Sequence, residues 1–269
     1  MRALSPSRRG WGPDAAGKVR LAAIVFLATA ACHNTYLPSE IEPADLSATV
    51  VAGGDRAGQT AAEAPFKRIL CFGDSLTTGV TLRMPPGEWL LTPVEGYVPK
   101  LALLLAERYG DGFELINAGL PGETTTEGVR RLSSETLLRK PDLVLILEGV
   151  VDVNNDNPRF SDTRTNLRDM IRIARGREAH VIIGTIPPLN SEGFRANGPD
   201  NVATLNEMIR SLAEREDVRV ADHEKAFGSE LSHQGPDGLH PNDNGYRVMA
   251  RTWFDAIVAE AAGPLATLR

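Results

Sequence analysis

From residue 66 onward, apolar positions fall into two alternating kinds of run. The first kind is short and continuous. Residues 68–72 (Arg-Ile-Leu-Cys-Phe) are stopped by Gly73, residues 143–147 (Leu-Val-Leu-Ile-Leu) are apolar throughout, and 113–118, 180–185 and 218–221 are similar. Continuous apolar runs of this length predict strands, and one apolar at every position is covered on both faces. The second kind is spaced by threes and fours. Val98, Leu101, Leu104 and Leu105 predict a helix over 97–109. Val129, Leu132 and Leu137 are placed on one side of a helix over 124–139, with Pro141 just past its end. Further helices are predicted over 167–177, 202–215 and 242–262. Five strands separated by helices imply a three-layer α/β/α domain, a flavodoxin-like five-stranded parallel sheet with helices on both faces. Ligands of such sheets gather at the carboxyl ends of the strands. Here those ends lead into loops 73–79, 117–124, 148–157, 186–201 and 222–241.

The pattern before residue 66 is different. Residues 1–20 carry five basic side chains and one acid, and an apolar run over 21–31 ends on small residues directly before Cys32. A basic region, an apolar stretch of that length and small residues at its end describe a secretory signal over residues 1–31. The cysteine that follows resembles the acylation site of bacterial lipoproteins, with Thr29 at a position where that pattern usually has Leu. The resemblance implies a lipidated Cys32, a protein that is secreted or periplasmic, and attachment to the cell envelope through acyl chains alone. Residues 32–65 hold one aromatic, Tyr36, and no sustained period. Such a segment cannot bury enough apolar surface to offset its ordering entropy, so it reads as a disordered tether. The folded domain is then residues 66–269.

Composition narrows the chemistry. Of 269 residues, 42% are hydrophobic and 24% charged, with a net charge of −6, which excludes a disordered chain or a multi-span membrane protein. Loss of residues 1–31 would leave a net charge of −10. No basic block beyond the N-terminus suggests a nucleic-acid partner. Two cysteines, Cys32 and Cys71, exclude a disulfide scaffold, and Cys71 reads as a small buried apolar residue of the first strand. No H-E-x-x-H motif accompanies His223, His233 and His240, so no metal is expected, and no phosphate loop or dinucleotide fingerprint calls for a cofactor.

Two motifs lie at strand ends. Gly73-Asp74-Ser75-Leu76-Thr77-Thr78-Gly79 places a serine on the turn after the first strand. A serine hydroxyl becomes a nucleophile once a neighbouring base takes its proton. Alternatively, such a serine merely caps a helix. Asp237-Gly238-Leu239-His240-Pro241-Asn242 stands near the other end. Three residues of separation let Asp237 accept from one imidazole nitrogen and leave the other free as a base, with Pro241 suited to the first turn of the last helix. Asp74 is expected to bond nearby backbone. Trp89, Leu90 and Leu91, read as part of the loop after the serine, either line an acyl pocket or cover the core.

Together these residues resemble the SGNH, or GDSL, hydrolase superfamily, over about residues 67–262. Asn117-Ala118-Gly119-Leu120-Pro121-Gly122-Glu123-Thr124 resembles its second block. The resemblance implies Ser75 as nucleophile, His240 as general base and acid, Asp237 as its orienting partner, and the N–H groups of Ser75 and Gly122 as oxyanion donors. It implies a serine ester hydrolase, such as a lysophospholipase or short-chain esterase, acting as a monomer on small-molecule or polysaccharide esters without a cofactor. One block departs. The family's Gly-x-Asn-Asp is here Gly149-Val150-Val151-Asp152, so Val151 replaces an amide donor, and Asn154 is the expected substitute. That departure keeps open a second reading, a catalytically impaired relative that binds glycan or a partner. An α/β-hydrolase fits poorly, because the fifth position of its G-x-S-x-G motif is Thr77 here and its Asp and His are normally far apart.

Overall fold

The computed structural model describes residues 63–83, 88–91, 95–229 and 231–263. The signal segment 1–31, Cys32 and nearly all of the 32–65 tether lie outside the described residues.

Five strands form a parallel sheet: β1 (Arg68–Gly73), β4 (Glu114–Gly119), β5 (Leu143–Leu147), β6 (His180–Gly184) and β7 (Arg219–Ala221), in the order β4-β1-β5-β6-β7. This is the flavodoxin-like order, with the chain passing from β1 to one neighbour and returning to the other. Among the described residues, seven of the eight α-helices can be grouped by packing. Helix α2 (Tyr97–Tyr109) packs on α8 (Asp243–Ala261), which also meets α7 (His223–Phe227). Helix α3 (Thr125–Arg139) packs on α5 (Phe160–Arg175), and α5 on α6 (Pro199–Glu216), which in turn meets α4 (Val150–Val153). The eighth, α1 (Ser75–Thr78), is a single turn directly after β1.

All five residues of β5 are buried, as their unbroken apolarity requires, and the largest fully enclosed side chains are Trp253, Tyr97, Tyr246 and Phe72. Two of these carry polar tips that find partners. Tyr97 Oη donates to Thr77 Oγ1 at 3.3 Å, and Tyr246 Oη to the Val80 carbonyl at 2.6 Å. Both tie the segment after β1 to the helices on one face.

Some expectations need correction. The helix expected over 167–177 starts seven residues earlier, at Phe160, because residues 161–166 are all polar and carry no apolar period. Leu137 is 53% exposed rather than inward. The inner face of α3 is Thr125, Gly128, Leu132 and Thr136, which apart from Leu132 are small and bring the helix close to its neighbours; a Cβ on Gly128 would lie 2.7 Å from Met170 Cε. The segment after the serine is not an open loop: β2 (Val80–Arg83) and β3 (Glu88–Leu91) pair as an antiparallel ribbon. Pro241 precedes the last helix instead of entering it, since Asn242 is the N-cap and its Oδ1 accepts from Gly245 N.

The strand ends that matter are level. Gly73 pairs with Gly119 of β4 and Leu147 of β5. Two of the three residues in that row lack a side chain, so α1 rests directly on the sheet edge. A Cβ on Gly119 would lie 2.2 Å from Thr78 N and 2.7 Å from Thr77 C. Gly119→Ala should therefore destabilise the protein by about 1–3 kcal/mol, as overpacking against backbone does. Urea unfolding measures it, and an unchanged midpoint would show that α1 is not seated on β4 in this way.

Candidate active site

Ser75 owes its position to the way β1 ends. After Gly73 the chain turns at Asp74, whose Oδ1 accepts from Leu76 N at 2.9 Å and caps α1. The turn closes at Gly79, in the left-handed region at φ 92°, with its N–H bonded to the Ser75 carbonyl. Ser75 is the first residue of the helical turn, so its N–H has no helical acceptor. It is 8% exposed, whereas its neighbours Asp74, Leu76 and Thr77 are at 0–1%. Ser75 is thus the most exposed residue of this buried turn.

Asp237 and His240 come from a turn drawn tight by backbone bonds. Gln234 bridges Pro241, Gly235 N donates to the His240 carbonyl at 2.7 Å, and Gly238 takes φ 76°. Asp237 Oδ1 accepts from the N–H groups of Leu239 (3.1 Å) and His240 (3.0 Å), while Oδ2 lies 2.6 Å from His240 Nδ1. Burial alone would raise the Asp237 pKa. The ring of His240, its charge and the two backbone donors outweigh that and hold the carboxyl below its ordinary value. An ionised Asp237 requires the proton on Nδ1, which leaves Nε2 as acceptor. Nε2 lies 2.9 Å from Ser75 Oγ, across 165 positions of sequence. Hydroxyl, imidazole and carboxylate therefore form one continuous chain that can take a proton from Ser75 as its oxygen attacks.

Gly122 sits beside this chain at φ 79°, with open space where a side chain would stand. Its loop is held by Leu120 N donating to the Gly73 carbonyl (2.8 Å) and by Glu123 N donating to the Leu120 carbonyl. Asp152 secures the far end, accepting from Thr125 N and Oγ1 at 2.9 and 2.6 Å.

The expected substitute donor does not fit. Asn154 Nδ2 donates to the Arg195 carbonyl at 2.7 Å, and its Oδ1 accepts from Asn197 N and Gly198 N at 2.7 and 2.9 Å. Its amide is used in bracing the loop after β6. Asn155 is engaged likewise, donating to the Asp152 carbonyl. Val151 packs partly buried against the core. The braced loop does touch the site from behind, since Arg195 N donates to the Asp237 carbonyl and Asn190 N to the Gly238 carbonyl, both at 2.9 Å.

Sequence reasoning passed over Glu123, Arg131 and Glu148. With Asp74, two of these, Glu123 and Glu148, make three carboxyls at 0–3% exposure behind Ser75. Burial and then the charges of Asp74 and Glu123 push Glu148 well above the ordinary range. Burial, opposed by the Leu76 N–H and reinforced by Glu123 and Asp152, pushes Asp74 up to about 7. A charged residue directly after an all-apolar strand, as Glu148 is, was the available signal. Other groups are set apart. Burial pushes the Cys71 thiol up to about 12 and lowers His223, edge-on to Trp253, to about 3. Among the described residues no three His, Cys, Asp or Glu side chains gather to hold a metal.

Known proteins resemble this chain in sequence and fold. The profile of the GDSL-like lipase/acylhydrolase family matches residues 71–248. A multidomain esterase of Ruminococcus flavefaciens is 31% identical over 121 residues, 44% of this chain but only 16% of that protein. An acetylxylan esterase of Geobacillus stearothermophilus is 25% identical over 71% of this chain and 94% of its own. Among solved structures, a lipase/acylhydrolase from Enterococcus faecalis superposes with a TM-score of 0.63 at 27% identity, covering 72% of this chain and 96% of that one.

Two outcomes test the site's physics. Asn154→Ala should cost about 1–2 kcal/mol in unfolding free energy and only a few-fold in turnover of a test ester. A loss of ~10²–10³ in kcat with stability intact would instead mark it as an oxyanion donor. Glu148→Gln should stabilise the protein at pH 8 and not at pH 4. A carboxyl raised on folding contributes its stability below the unfolded value of ~4.3 and loses it as pH rises. Equal effects at both pH values would mean that Glu148 holds no proton at neutral pH.

Proposed function

Because the chain belongs to the GDSL-like lipase/acylhydrolase family, we propose that it is a serine ester hydrolase cleaving carboxylic esters through an acyl-enzyme on Ser75. The observation that carries this reading is the continuous chain Ser75 Oγ–His240–Asp237, with links of 2.9 and 2.6 Å. In the proposed reaction, Nε2 of His240 takes the Ser75 proton as Oγ attacks the ester carbonyl. The oxyanion of the tetrahedral intermediate meets the N–H groups of Ser75 and Gly122. His240 then gives its proton to the departing alkoxide, and a water activated by the same nitrogen releases the acid. Asp237 stays ionised throughout and stabilises the imidazolium.

Acetyl and short acyl esters, including those of polysaccharides, are the substrates we favour. The relatives named multidomain esterase and acetylxylan esterase support that class, and lysophospholipids form the competing one. The signal-like segment 1–31 and Cys32 support export and a lipid-anchored monomer at the bacterial envelope. Val151 favours the second reading, a relative that binds its ligand without turning it over.

A panel of p-nitrophenyl esters graded by chain length, with acetylated xylan and lysophosphatidylcholine included, tests the proposal against a Ser75→Ala control. Turnover by the native protein alone is expected, greatest with the shortest acyl groups. Equal background rates for both proteins would leave only the binding reading. Restoring the missing amide, Val151→Asn, should raise kcat toward a hundredfold, the reverse of the ~10²–10³ lost with such a donor; no gain would show that two donors suffice.

A further inference from the structure

The ionic cluster behind Ser75 takes no direct part in the reaction just described, yet it joins the two segments that must act together. It draws Asp74 from the turn between β1 and α1, Glu123 from the loop that carries Gly122, Arg131 from α3 and Glu148 from the end of β5. Arg131 is its hub. The guanidinium lies over the Phe72 ring, 4.0 Å from its centre, and its N–H groups reach three further residues. Nε and Nη2 donate to the two Glu123 oxygens at 2.7 and 2.5 Å, Nη1 to the Ala118 carbonyl at 2.8 Å, and Nη2 also to the Gly73 carbonyl at 3.3 Å. Gly73 stands two residues before Ser75, and Glu123 one residue after Gly122.

We propose that Arg131 is a positioning residue for the oxyanion hole, fixing through Gly73 and Glu123 the placement of the Ser75 and Gly122 N–H groups relative to one another. The inference rests on the acyl-transfer reading above and adds a residue that acts through others. Its force comes from partial burial: the Arg131 side chain is 20% exposed and the Glu123 carboxylate it meets 1%, so losing the pair leaves a buried carboxylate uncompensated. The guanidinium's rigid fork also fixes directions as well as distances, which a lysine ammonium cannot do. Donors displaced by about 1 Å lose on the order of a hundredfold in rate.

The remaining carboxyls set the conditions under which the clamp holds. Glu123 is matched by Arg131, while among the described residues no N–H group reaches Asp74 Oδ2 or either Glu148 oxygen, and Glu148 meets the Glu123 carboxyl instead. Asp152 adds its field from α4. An ionised Glu148 would compete with Glu123 for the one cation, so a protonated Glu148 keeps Arg131 on the loop that bears Gly122.

The experiment compares Arg131→Lys with the native protein in three measurements: active sites titrated with a serine-directed phosphonate, steady-state kinetics on p-nitrophenyl acetate, and inhibition by a simple alkyl boronic acid. The tetrahedral boronate on Ser75 places an oxygen in the oxyanion hole, so its affinity reports the hole directly. We expect a full titre, a ten- to hundredfold fall in kcat, KM within twofold, and a boronate Ki raised by the factor that kcat/KM loses. A reduced titre with native kcat and Ki per titrated site would overturn the proposal, because that is the signature of lost fold alone. If Arg131→Lys does not fold, Glu123→Gln removes the same ionic link with little change of shape and is judged on the same readouts. An inactive, unlabelled native protein would remove the esterase reading itself, whereas an active native protein with indifferent variants removes only the clamp.

Discussion

One hydrogen bond, between Ser75 Oγ and His240 Nε2, joins the two ends of the folded domain, and much of the structure can be understood as what holds its two atoms 2.9 Å apart. Ser75 is located by the sheet: β1 ends level with β4 and β5, and glycines at 73 and 119 let the helical turn sit on their edge. His240 is located by the opposite strategy, a loop whose shape comes from its own hydrogen bonds. Asp237 spends one oxygen on two backbone N–H groups and the other on the ring, so the residue that orients the base also builds the turn that carries it. The loop after β6 presses on that turn from behind, and Asn154 braces it.

The same burial has opposite effects on carboxyls a short distance apart. Asp237 and Asp74 are both at 0% exposure. Asp237 receives three donors and remains below its ordinary value, whereas Asp74 receives one donor at Oδ1, faces Glu123 and Asp152, and is pushed up to about 7. Desolvation penalises any charge, and the supply of N–H donors decides which group escapes it. The protein thus keeps an anion where the imidazolium needs one. It raises Asp74 and Glu148 where further negative charge would compete with Glu123 for Arg131.

Much of this was legible in the sequence, for definable reasons. The strand Leu143–Leu147 and the helix Tyr97–Tyr109 were predicted to the residue, because one is apolar at every position and the other strictly periodic. The motifs that bear Ser75, Asp237 and His240 are local, and their placement at strand ends followed from the alternation of elements. What stayed hidden was either aperiodic or non-local. The polar first turns of α5 carry no period, and the inner face of α3 is, apart from Leu132, made of small residues that no hydrophobicity pattern marks. Asn154 stands close enough in sequence to Val151 to replace it, and only the path of residues 195–198 shows where its amide is used. Arg131 and Glu123 read as ordinary charges eight positions apart until the fold encloses them.

The valine at 151 and the clamp at Arg131 bear on each other. Where three donors receive a developing charge, a small error in one is partly covered by the other two. With an isopropyl group in place of the third, the proposed hole has two backbone N–H groups from different segments, and all of its stabilisation depends on their relative placement. Backbone donors on separate loops drift apart unless something stiff connects them. The guanidinium of Arg131 is stiff, largely covered, and bonded to both segments at once. A site short of one donor is therefore the kind of site in which a rigid link between the remaining two contributes most to turnover.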